Sequence, residues 1–194
     1  MKIFKILIYT TFFLVLGFIF INNYRYKAAY TNGLRQREVL EEMVILHSKM
    51  GGSYDLSSET IFLDSLSNAI QLKDLVEDSP KLVFRFTSLN CDKCYKEVLS
   101  VIAKQSKEHN DCDLILIVSF NHVNNLRLIL RDYNLRVPFF LTTSASLINE
   151  VDSINYPYFF TLEQDGKVSK IFFVNYETPE LTNQYLTNIT KQFK

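Results

Sequence analysis

Between Lys81 and Ile102 the sequence changes its hydrophobic period at a pair of cysteines, and that junction restricts the fold more than any other feature. Lys81 to Phe86 is an apolar run with Val and two Phe, the composition of a central strand covered on both faces. Helical spacing takes over at Cys94, Val98, Val101 and Ile102 and ends near Lys107. The pattern then repeats, with Asp113 to Phe120 (DLILIVSF) as a second buried strand and Asn121 to Asn134 as a second helix carrying Val123, Leu126, Ile129, Leu130 and Tyr133. Pro138 to Thr142 reads as an extra strand. Tyr158 to Leu162 and Val168 to Val174, joined at Asp165 and Gly166, read as an antiparallel hairpin, and a last helix covers Thr178 to Phe193. A parallel βαβ unit therefore leads into a ββα unit, which is an α/β class.

The chain before this domain divides in two. Ile6 to Ile21 (ILIYTTFFLVLGFIFI) carries no charge, and extended to Ile3 and Asn22 it reaches ~20 residues, about the thickness of a bilayer core. It is longer than a usual signal-peptide core and ends in Phe18, Ile19, Phe20 and Ile21 where a cleavage site wants small residues. Residues 1–23 are therefore expected to be an uncleaved transmembrane anchor, crossing once through residues 3–22. Residues 24–52 are expected to hold a polar linker, Tyr24 to Gly33, and a juxtamembrane helix. That helix has Val39, Leu40, Met43, Val44, His47 and Met50 on one stripe and stops at Gly51 and Gly52. Residues 53–194 form the α/β domain, which opens with a hairpin of Thr60 to Leu63 and Ala69 to Leu72. The first 27 residues contain four basic groups and no acid, whereas the whole chain balances 21 basic against 21 acidic. That leaves no basic excess for phosphates, so a nucleic-acid partner is excluded.

The chemistry is concentrated at Cys91, Asp92, Lys93 and Cys94. Two thiols separated by two residues at a helix N-terminus lie within disulfide reach, and the unsatisfied N–H groups there favour a thiolate on the first. Cys91 is then the nucleophile and Cys94, one turn deeper, the resolving thiol. Lys93 favours the thiolate and Asp92 opposes it. A metal site would need two further ligands, and Cys112, His109 and His122 are the only soft candidates nearby, so no metal is expected. Cys112 opens a buried strand as a small core residue.

At KLVFRFTSLNCDKCYKE, Lys81 to Glu97, the sequence resembles the active-site strand, turn and helix of thioredoxin-fold proteins, with Phe86 as the aromatic five residues before the first cysteine. It is most similar to the membrane-anchored thiol-disulfide oxidoreductases of the TlpA/ResA type. Glu97, three residues after Cys94, fits their glutamate, and Ile70, Leu72, Lys73, Asp74 and Leu75 fit the turn before their central strand. Asn155-Tyr156-Pro157-Tyr158-Phe159-Phe160-Thr161, followed by Asp165-Gly166-Lys167, looks like their cis-proline loop, strand and tight turn. The resemblance implies a thioredoxin-like fold with an N-terminal β-hairpin and an insertion between the βαβ and ββα halves. It implies that Glu97 assists proton transfer and that Asp92, Lys93, Tyr156 and Pro157 contact substrate. The chain departs from the pattern where tryptophans usually stand, near Thr87 and Asn90, and where proline usually stands, at Lys93.

These readings make the chain an extracytoplasmic, single-pass protein of a bacterial inner membrane that exchanges a Cys91–Cys94 dithiol with protein thiols and disulfides, as a reductant. It would serve no other cofactor and would be recharged by a membrane electron donor, with cytochrome c maturation as the setting the resemblance suggests. A catalytically weak binding module with a structural disulfide is the alternative. A copper-handling relative would want a late histidine, and none follows His122. Arg85 lies six residues before Cys91, where such proteins carry an acid or a neutral polar group, and a buried guanidinium there needs an anion. An ion pair between Arg85 and Glu97, supporting Cys94, is the expectation.

Overall fold

The computed structural model describes the backbone of residues 2–108, 113–120, 122–142, 144 and 146–193; of residues 2–11, 106–108 and 193 the backbone alone is described. The chain divides into two compact units, Met1–Glu42 and Met43–Lys194. Cys112 and His109, the expected core cysteine and one soft candidate ligand, lie outside the described residues.

The first unit is a single element. Helix α1 (Lys2–Met50) runs without interruption through the segment expected to be a linker. Tyr24 to Gly33 is polar but holds no proline, and Thr31 bonds back to the carbonyls of Lys27 and Ala28, both at 3.0 Å, so nothing there breaks the helical ladder. Among the described residues no helix is long and apolar enough to cross a membrane. The expected span begins at Ile3, outside the described side chains, and the part whose side chains are described, Phe12 to Ile21, is shorter than the ~20 residues a crossing needs.

In the second unit α1 ends at Met50, before Gly51 and Gly52 as expected. Its last turns pack on the sheet. Met43 is buried, and His47 accepts the Phe173 N–H at Nε2 (3.2 Å) while Nδ1 lies 2.6 Å from the Met43 carbonyl. The remaining elements are β1 (Tyr54–Asp55), β2 (Ile61–Leu63), β3 (Ala69–Gln71), α2 (Leu72–Leu75), β4 (Lys81–Thr87), α3 (Asp92–Glu108), β5 (Leu114–Ser119), α4 (Val123–Asp132), β6 (Phe139–Thr142), α5 (Asn149–Asp152), β7 (Tyr158–Leu162), β8 (Lys167–Phe173) and α6 (Pro179–Ile189), followed by a 3-10 turn, Thr190–Phe193. One eight-stranded sheet has the order β1-β8-β7-β4-β5-β6-β2-β3. Strands β4, β5 and β6 run parallel and the others pair antiparallel. The expected βαβ and ββα halves are both present, with α4 and β6 between them as the insertion. Strands β1 and helix α5 escaped the sequence pattern because each is too short to show a period.

Strand β4 occupies the centre because it can be dry on both faces: its residues from Leu82 to Thr87 are all buried. Alternation sends Leu82, Phe84 and Phe86 into one core with Tyr95, Val98, Leu99 and Ile102 of α3, Leu126 and Leu130 of α4, and Leu186 and Ile189 of α6. Phe84 stacks on Phe86 (centroids 5.1 Å) and on Phe159 (4.6 Å). Arg85 points the other way and is wholly buried; it pairs across the strands with Tyr158 and Ile117. The antiparallel turn between β7 and β8 closes at Gly166, whose φ of 84° is open to glycine at no steric cost.

Truncating the centre of this core should be costly. Phe84→Ala is expected to destabilise the domain by about 3–5 kcal/mol in urea unfolding, against less than half of that for Phe84→Leu. Equal losses for the two would show that the ring stack, and not the cavity, carries the energy.

Candidate functional site

Cys91 immediately precedes the first residue of α3, and its thiol is exposed; Cys94 lies within the helix and is buried. The Cys91 carbonyl accepts from the Cys94 N–H at 2.9 Å, and the Tyr95 N–H lies at 3.4 Å, so the turn that begins the helix also sets the two thiols side by side. The pair is strongly unequal. The Cys94 S–H donates to Cys91 and holds its pKa below the ordinary thiol value, helped by the backbone N–H groups of Cys94 and Lys93 and opposed by partial burial and by the Asp92 charge. Burial pushes the Cys94 thiol up to about 12, reinforced by its bond and charge relation to Cys91 and only partly offset by the Tyr176 backbone N–H. The surface thiol is therefore the easier of the two to ionise, and the buried one holds its proton more tightly.

The two residues between the cysteines are tied away from each other. Asp92 accepts from the Lys96 ammonium (2.7 Å) and the Tyr95 hydroxyl (2.8 Å), which hold its carboxyl below the usual range. The Lys93 ammonium sits 4.4 Å above the Tyr176 ring, a cation–π contact. Asp92 is thus engaged along its own helix, while Lys93 bridges α3 to the segment after β8.

A second loop meets the cysteine turn. Buried Asn90 accepts the Thr87 N–H at 2.7 Å and donates its amide to the Asn155 carbonyl (3.0 Å) and the Asn155 side-chain oxygen (3.1 Å). This clasp ties Asn155, the residue that leads into Tyr156 and Pro157, to the residue beside Cys91. Pro157 is buried, and its carbonyl accepts from the Val174 N–H at 2.9 Å. Its peptide bond is trans, against the expected cis-proline; among the described residues no peptide bond is cis. The chain turns instead at Asn155, at φ 60°, a conformation that asparagine tolerates better than most residues.

The expected ion pair between Arg85 and Glu97 does not form. Glu97 is exposed on α3 and lines a shallow groove with Val98, Asn175 and Tyr176, whereas Arg85 faces the opposite side of β4, where its Nε lies 3.5 Å from Asp152. The reason is the strand's period: α3 packs on the face of Phe84 and Phe86, so residue 85 must look away from it. Sequence reasoning missed Asn90, Asn155, Tyr176 and Asp152. Only Asn155, a turn-prone residue before Tyr-Pro, left a local signal. His122, the other soft candidate, is exposed at the start of α4, and no group of three or more ligating side chains occurs among the described residues.

No protein-family model matches the chain, and no curated protein matches it. Solved structures do. A candidate electron transfer protein of Aquifex aeolicus superposes with a TM-score of 0.51 at 12% identity, over 72% of this chain and 92% of that one. DsbF of Mycobacterium tuberculosis, in its mixed oxidized and reduced forms, gives 0.51 at 11% identity, over 69% and 96%. Yeast Sco1 gives 0.50 at 13% identity, over 73% and 97%. The sheet order, the placement of the cysteines at the start of α3 and these superpositions agree on one conclusion: the domain has an α/β thioredoxin-like fold.

Proposed function

We propose that the chain is a thiol-disulfide oxidoreductase acting on protein disulfides, with Cys91 as nucleophile and Cys94 as resolving thiol. The observation that carries this reading is the unequal thiol pair: an exposed Cys91 with lowered pKa beside a buried Cys94 held at about 12. The Cys91 thiolate attacks one sulfur of a substrate disulfide; that S–S bond breaks, and the departing thiolate takes a proton from solvent. Cys94 then gives up its proton and attacks the Cys91 sulfur. The Cys91–Cys94 disulfide forms, the second substrate thiol leaves, and two electrons have passed to the substrate.

High proton affinity at Cys94 leaves Cys91 as the thiol that attacks the substrate first. Its proton has to leave as the mixed disulfide removes the negative charge from Cys91, which is one of the causes holding it. Glu97, exposed one turn further along α3, is proposed to relay that proton to solvent. Asp92, Lys93 and the half-buried Tyr156, backed by the buried Pro157, are the residues along which a client peptide would rest. The likeness to DsbF and to Sco1 supports the fold on which such exchange can run.

The finer reading is that of the TlpA/ResA type: a protein tethered to a bacterial inner membrane through residues 3–22, with its domain on the extracytoplasmic side. It would work as a reductant recharged by a membrane electron donor, with cytochrome c maturation as its setting, and it would use no cofactor beyond its own dithiol. What supports the tether is the uncharged run from Ile6 to Ile21.

Two outcomes test the exchange. Cys94→Ser should accumulate mixed disulfides with client proteins on non-reducing gels, and Cys91→Ser should not; a structural disulfide would trap with neither. In addition, because the Cys94 donor is the leading cause of the lowered Cys91 pKa, Cys94→Ala should move the midpoint of Cys91 alkylation to higher pH, whereas Cys94→Ser, which keeps a donor, should move it less. Identical midpoints in the three proteins would remove the donor from the account.

A further inference from the structure

The loop that meets the cysteine turn is held from beneath by a buried charged cluster that no step of the exchange uses. Asp152, at the end of α5, has a side chain only 9% exposed, and its carboxylate reaches three separate segments. Oδ2 accepts the N–H groups of Leu147 (2.5 Å) and Ile148 (3.0 Å) and the Ser146 hydroxyl (3.4 Å). Oδ1 accepts the Tyr158 hydroxyl at 3.2 Å and lies 3.5 Å from Nε of the wholly buried Arg85. Arg85 and Tyr158 are themselves opposite one another in the β4–β7 pairing.

The bond from Tyr158 to Asp152 closes a ring of chain, and Asn155, Tyr156 and Pro157 all lie within it. Inside the ring the Asn155 N–H donates to the Asp152 carbonyl at 3.0 Å, and Asn155 in turn holds Asn90, the neighbour of Cys91. A continuous set of bonds thus runs from the far face of β4 to the nucleophile's own turn. Buried ions are a poor means of stabilising a fold, since the effective penalty is several kcal/mol for each and apolar replacements are often as stable. What such a cluster supplies is a fixed position.

We infer that Asp152, neutralising Arg85 and gripping Tyr158, is a positioning residue that holds Tyr156 and Pro157 in register with Cys91 for a peptide substrate. The inference rests on the oxidoreductase reading. A small disulfide needs only the Cys91 thiolate, whereas a peptide disulfide has also to lie along the loop, so loss of the ring separates the two.

The test compares the full-length protein with Tyr158→Phe, which opens the ring, on a cyclic disulfide peptide and on 5,5′-dithiobis(2-nitrobenzoate). With the protein pre-reduced and followed over a single turnover, the second-order rate constant for the peptide should fall by about tenfold, chiefly through weaker peptide binding, on the scale that small misplacements of a reacting pair cost. The rate with the small disulfide should stay within about twofold and the pH midpoint of Cys91 alkylation should not move, a split that a general loosening of the domain cannot produce. Arg85→Met combined with Asp152→Leu keeps the site packed without an unpaired charge and should give the same split; it decides the matter if Tyr158→Phe does not fold. Parallel losses on both substrates, or an unchanged peptide rate, overturn the inference alone. Wild-type protein inert toward both disulfides overturns the oxidoreductase reading and this inference with it.

Discussion

A strand dry on both faces is the constraint from which the rest of this domain follows. Strand β4 sits fourth in a sheet of eight, and all of Leu82 to Thr87 is removed from water. Both faces must therefore be covered, and parallel neighbours must be reached by crossovers, which is why α3 and α4 both lie on the face of Phe84 and Phe86. The crossover from β4 has to begin at the C-terminal end of that strand. Its first turn is where Cys91 stands, so a thiol at a helix start is a by-product of burying the strand before it.

The same strand explains the one polar exception. Arg85 alternates away from Phe84 and Phe86, and a guanidinium taken out of water has to meet an anion. Asp152 is that anion, and because α5 carries it, the charge requirement of the sheet is transmitted to the loop that ends in Pro157. The site is thereby made from two stretches 65 residues apart in the sequence, joined by a clasp of two asparagines.

Much of this was legible in the sequence, and the divisions between legible and hidden are physical. The strands at Lys81–Thr87 and Leu114–Ser119, the hairpin at Gly166 and the cysteine helix were readable because long apolar runs and turn residues carry their own period. Two thiols two residues apart fix their own relation within one helical turn, so their side-by-side placement at the start of α3 was readable as well. What could not be read was any contact set by tertiary placement. Arg85 was expected to find Glu97, which is nearer in sequence, and found Asp152 instead, because which face a helix covers is decided by the whole sheet. Polarity alone marks Tyr24 to Gly33 as a linker, yet polarity does not interrupt a helix that holds no proline. The trans bond before Pro157 was equally unavailable, since the turn it was expected to make is made by Asn155.

The sheet ends on both sides in very short strands: β1 has two residues and β3 has three. Short edges leave few free backbone groups on which another chain could template, so a broad sheet of this kind is kept from growing sideways. Both edges come from one stretch, Tyr54 to Gln71, which pairs β8 at one flank and, through β2, β6 at the other. A domain begun at Lys81 would keep its cysteines but would lose the buried Phe62, Leu72 and Leu75 and would present β8 and β6 as open flanks to its neighbours.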